Sequence, residues 1–94
     1  MRIALVNPPY TLWMPGMEHL AQVLGRQPPM GLVSLAAHAR ARVPDLRITI
    51  LDAVANSWSN ERTADKVIAA SPDVVGITMT TVVARNARMI AERV

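Results

Sequence analysis

The sequence contains no cysteine and no phenylalanine. Without cysteine there is no disulfide scaffold, no Cys-based zinc site, and no iron–sulfur cluster ligated by this chain alone. Aromatic residues are confined to Tyr10, Trp13 and Trp58, which gives no stacking platform for nucleic-acid bases. Neither GxGxxG nor GxxxxGK[ST] occurs, so nucleotide binding by those phosphate cradles is not expected. Long apolar runs are missing too. The stretch Met1 to Val6 turns polar at Asn7, too soon for a signal peptide or a membrane span. A cytoplasmic chain with no membrane and no nucleic-acid partner is the expectation. His19 and His38 are the only histidines, and no Ser–His–Asp or Cys–His constellation can be drawn. Ten Lys and Arg against seven Asp and Glu give a net charge of +3. The arginines are spread over predicted helices, a pattern that reads as solvated faces.

What remains is an α/β pattern. The 94 residues are enough for one domain at most, and 51% of them are hydrophobic, so a core can form. Ile3 to Val6 is apolar without alternation, as suits a central parallel strand buried on both faces. Asn7-Pro8-Pro9 ends it, because proline gives the ladder no N–H. A long loop is expected from Tyr10 to Pro29. A helix starts near Pro29 with the stripe Leu32, Leu35, Ala36, Ala39 and Val43. Arg47 to Leu51 reads as the second strand and ends at Asp52. Ser59 or Asn60 caps a second helix, with Ala64, Val67, Ile68 and Ser71 on its inner side. Val74 to Ile77 reads as the third strand. Thr80 or Thr81 caps a third helix with the stripe Val83, Ala87, Ile90 and Val94.

Three β-α units imply a parallel sheet with right-handed crossovers. With strand one central, in the order 2-1-3, the crossovers leave in opposite directions, and ligands bind between the carboxyl ends of strands one and three. Those ends are Asn7-Pro8-Pro9-Tyr10 and Thr78-Met79-Thr80-Thr81. The double proline is a stiff turn with an amide beside it, not a phosphate cradle. Thr78 and Thr80 offer hydroxyls in an apolar crevice, although Thr80 and Thr81 serve equally well as caps. Asp52 at the end of strand two is expected to cap the next segment rather than hold a ribose. The strand ends lack the carboxylate cluster of a phosphoacceptor. His38 points off its helix stripe toward solvent. Leu12, Trp13, Met14 and Met17 make the long loop apolar, so it is expected to pack on something.

The runs Leu5-Val6-Asn7-Pro8-Pro9-Tyr10, Pro28-Pro29-Met30-Gly31-Leu32, Ile50-Leu51-Asp52-Ala53 and Pro72 to Thr78 come in that order. Together they resemble the N-terminal cobalamin-binding domain of cobalamin-dependent radical S-adenosylmethionine enzymes, which include methyltransferases and ring-forming cyclases. The resemblance spans nearly the whole chain and makes residues 1–94 a partial domain. It implies a flavodoxin-like (Rossmann-like) sheet that is incomplete here, since the family's domain continues through two more strands. It implies cobalamin as cofactor, with Asn7, Pro8, Pro9 and Tyr10 bordering the corrin face. Thr78, with Thr80 near it, would meet the nucleotide tail. The Asp-x-His-x-x-Gly run that supplies a cobalt ligand in many other cobalamin domains is replaced by Asn7-Pro8-Pro9, which implies cobalamin without a lower histidine. The 4Fe-4S cluster and S-adenosylmethionine of the parent enzyme belong to a CxxxCxxC-bearing domain outside these residues.

A second expectation belongs to another class. The same sheet can serve as a non-enzymatic interaction module whose Arg-bearing helices bind a partner. On either reading strand three is an apolar edge, which proteins normally cover. The chain is therefore expected to be part of a longer protein, or to take its missing strands from a partner. Alone, it is expected to be marginally folded, or to self-associate through that edge.

Overall fold

Residues 1–9 and 29–94 are described by the computed structural model. The apolar run at the start forms β1 (Arg2–Asn7), the central strand of a sheet ordered β2-β1-β3. β2 (Arg47–Asp52) and β3 (Val74–Ile77) flank it. Both pairings are parallel, with Asn7 opposite Asp52 and Val6 opposite Ile77. The order is that of a flavodoxin-like α/β sheet, with three strand–helix units as the periodicity predicts.

The crossovers lie on opposite faces. The helix α1 (Met30–Arg42) sets Leu32 and Ala36 against Leu5 and Ile48 on one face. After the short α2 (Ala53–Asn56), α3 (Asn60–Ala70) sets Val67 against Ala4, Val6 and Leu51 on the other. Trp58 packs at the rim of that cluster, with the Lys66 ammonium 5.5 Å from its ring centroid. β3 leads through a 3-10 turn (Thr81–Val83) into α4 (Ala84–Arg93), which packs on α3. Val6, Val67 and Ile90 are fully buried, each contributing roughly 1.5–3 kcal/mol of burial.

Most predicted boundaries stand, and the differences have physical causes. Of the α1 stripe, Leu32 and Ala36 are buried, but Leu35 is 54% and Val43 49% exposed. β1 and β2 contribute only Ile3, Leu5, Ile48 and Ile50 to this face, too narrow a strip for the whole helix. On α3, Ala64 and Val67 are buried as expected, with Thr63 beside them, while Ile68 is exposed. Thr63 is satisfied internally: its hydroxyl donates to the Ser59 carbonyl at 2.7 Å. Ser71 does not share the inner side. It closes α3 in a left-handed conformation, φ 48°. Ser59 is the cap, its Oγ accepting from the Arg62 N–H at 3.0 Å. Val83, Ala87 and Ile90 are buried along the last helix, whereas Val94, past its end, is 48% exposed. No helix among the described residues is long and apolar enough to cross a membrane.

The two outer edges of the sheet differ. At β2, Arg40 reaches from α1 and donates Nη2 to the Ile48 carbonyl at 2.7 Å. That contact blunts the edge and engages one of the helix arginines inside the fold. β3 ends the sheet on the other side, with Val74 47% exposed.

Candidate functional site

With α1 on one face and α3 on the other, the chain direction reverses at β1. The crevice outside the carboxyl ends of β1 and β3 is therefore the topological switch point. Each wall is built differently.

On the β1 side, proline removes the N–H that would extend the ladder. Pro8 is wholly buried, so its ring is packing beneath the edge. Pro9 is half-buried and its carbonyl accepts from Asn86 Nδ2 at 2.8 Å. Asn7 does not point freely into the crevice. Its Nδ2 donates to Asp52 Oδ1 at 3.0 Å across the β1–β2 register. The same oxygen accepts from the Ala55 N–H at 3.2 Å, and Asn56 Nδ2 donates back to the Asp52 carbonyl at 2.8 Å. Asp52 is thus the N-cap of α2, as expected, and also holds the Asn7 amide. α2 ends after one turn at Ser57, which is left-handed at φ 55°.

On the β3 side, Thr78, Met79 and Thr80 are all exposed. The Thr78 N–H donates to the Val6 carbonyl at 3.0 Å, so its backbone is fixed against β1. Thr80 takes the N-cap position of the 3-10 turn, but its hydroxyl makes no capping bond. Its carbonyl does the work instead, accepting from the Val83 N–H at 3.1 Å. The Thr80 hydroxyl is thereby left to the crevice rather than to the helix.

Asn86 is the residue the sequence pattern passed over. It sits on the buried side of α4, 9% exposed, between Val83 and Ile90. Besides holding Pro9, it accepts from Asn60 Nδ2 at 3.0 Å. Asn60 also lies 3.6 Å from the Met89 sulfur, and its own Oδ1 is buried without a partner. The relay Asn60–Asn86–Pro9 ties α3, α4 and the end of β1 together. The available signal was an amide at a stripe position, three residues after Val83 and four before Ile90.

The edge can bind but carries no reactive constellation. Among the described residues no three His, Asp or Glu side chains converge on a metal position. His38 lies exposed on α1. Tyr10, His19 and the apolar loop residues Leu12, Trp13, Met14 and Met17 lie outside the described residues. No family of known proteins, no curated protein and no solved structure matches this chain.

Proposed function

We propose that this chain is the cobalamin-binding N-terminal portion of a radical S-adenosylmethionine enzyme, a methyltransferase or a ring-forming cyclase. The observation that carries the reading is the switch-point crevice, with a stiff diproline wall opposite exposed Thr78, Met79 and Thr80. A large, mostly apolar ligand with polar side groups suits such an edge: an apolar surface with a few fixed hydroxyls gives both burial and orientation. Four sequence runs in family order support the same reading.

The residues present fit the cofactor in a defined way. Pro9, held by Asn86, borders the crevice as a fixed surface. Pro8 supports it from beneath. Thr78 and Thr80 supply hydroxyls to the tail, and Asn7 keeps Asp52 and α2 in place beside them. Nothing in Asn7-Pro8-Pro9 offers cobalt an imidazole, and an amide already donating to Asp52 is a poor substitute. When bound, cobalamin supplies a cobalt centre that carries methyl groups or assists substrate radicals. The cluster and S-adenosylmethionine of the parent enzyme are ligated elsewhere, and its downstream domain is the natural partner of the open sheet edge.

The test is retention. The full reading frame containing this chain is mixed with hydroxocobalamin, desalted, and its visible spectrum recorded. Corrin absorbance that co-elutes with protein, and falls in Thr78→Val, is the expected result. No retained absorbance overturns the reading. It would leave a flavodoxin-like interaction module, which the exposed Met30, Val33 and Leu35 on α1 favour as the second reading.

A further inference from the structure

The opposite end of the sheet carries a different chemistry. Arg2 and Arg47 are direct register partners on β1 and β2. Alternation along the strands puts both side chains on the α3 face, level with the end of that helix. They open on a cleft of about 250 Å³ that Thr49, Ala70 and Pro72 also line. The cleft lies at the amino ends of the strands, a full strand length from the switch point.

Two like charges directly opposed on a ladder destabilise it. Among the described residues the ion pair is Arg88 with Glu92; neither Arg2 nor Arg47 has an acidic side chain against its guanidinium. The nearby carboxylate of Asp73 accepts from the Arg2 backbone N–H at 2.8 Å instead. The carboxyl end of α3 brings partial negative charge to the cleft. A helix end worth about half an elementary charge balances only part of two guanidiniums. Each guanidinium is also a planar fork of donors whose geometry matches an oxyanion.

We propose that this cleft binds a small phosphate dianion. Two cationic forks on adjacent strands match a doubly charged tetrahedral group better than a singly charged carboxylate, and the Thr49 hydroxyl adds a neutral donor. The site is independent of the carboxyl-edge crevice and of whatever binds there.

Equilibrium dialysis of the 94-residue chain against radiolabelled inorganic phosphate, with chloride holding ionic strength constant, tests it. Saturable binding of one phosphate per chain is expected. Arg2→Gln and Arg47→Gln should each weaken it about tenfold or more, the usual worth of a charge-assisted hydrogen bond. Arg88→Gln, an exposed arginine paired on its own helix, should leave it unchanged. Binding that never saturates, or that weakens equally in all three variants, would mean a diffuse response to net charge and overturn the proposal. Unchanged binding in Arg47→Gln would overturn it too, because the arginine would then serve only the end of α3.

Discussion

Replacing Asn86 with alanine is the sharpest probe of the carboxyl edge. The side chain is 9% exposed and joins three elements. Its Nδ2 holds the Pro9 carbonyl at 2.8 Å, and its Oδ1 receives Asn60 Nδ2 at 3.0 Å. Two effects oppose each other. Alanine is the better helix former, by up to about 0.7 kcal/mol. Against that, a part-buried carbonyl and a part-buried amide each lose a partner, at about 1–3 kcal/mol apiece when water cannot replace it. Pro9 is only half-buried and Asn60 keeps its contact with Met89 sulfur, so the lower end of that range applies to both. The net expectation is a loss of about 1–2.5 kcal/mol. Urea unfolding followed by Trp58 fluorescence measures it, with an osmolyte present to lift the baseline. Asn86→Asp separates donor from space: it keeps the volume and the acceptor for Asn60 but cannot donate to Pro9 while ionised. It should be at least as destabilising as alanine at neutral pH. A wild-type stability in both variants would show that the relay does not hold the diproline, and the fixed wall of the crevice would go with it.

Three further outcomes are expected. Ser71→Gly should stabilise by about 0.5–1 kcal/mol, because its left-handed φ of 48° strains any residue with a Cβ; unchanged or lower stability in urea unfolding would contradict this. Val74→Lys places a charge on the exposed edge strand and should shift the isolated chain toward monomer in sedimentation velocity. A wild-type chain that already sediments as a compact, cooperatively melting monomer would refute the open-edge argument. Electron paramagnetic resonance of the cob(II)alamin-loaded full reading frame should show no nitrogen splitting from a protein ligand, and splitting that vanishes in His19→Ala would assign His19 as the lower ligand.

The backbone plan was legible because each signal came from a local rule. An unalternating apolar run marked the central strand, prolines marked its end, and serine and aspartate caps marked helix starts. Ser59 and Asp52 behave as those rules require. Where the reading failed, the cause was tertiary. Helical spacing groups Leu35 with Leu32, but spacing cannot report how wide the opposing surface is. A sheet strip two strands wide under α1 leaves Leu35 outside it. α2 escaped because its four residues are too short for any periodicity to register. The site was half legible for a related reason. Asn7 and Thr78 are placed by strand ends, which sequence locates well. The Asn7 bond to Asp52 needs the register between strands 45 residues apart. The role of Asn86 needs α4 to lie against the diproline, a contact across 77 residues.

The two ends of this sheet answer different physics, and β1 is what separates them. Its six residues span about 20 Å, roughly twice the screening length at physiological salt. A charge held between Arg2 and Arg47 is therefore almost invisible, electrostatically, to a ligand beside Thr78. Any coupling between the ends would have to be mechanical, through movement of β1 along its own axis. That movement is resisted on both sides. Arg2 is tied through its backbone to Asp73 at one end, and Pro9 is tied to Asn86 at the other. Between them the strand is in register with two neighbours and buried at Ala4, Leu5 and Val6. A strand pinned at both ends and packed on both faces transmits little. The polar bonds at its termini thus give each end its own rigid geometry, and the apolar middle keeps those geometries independent.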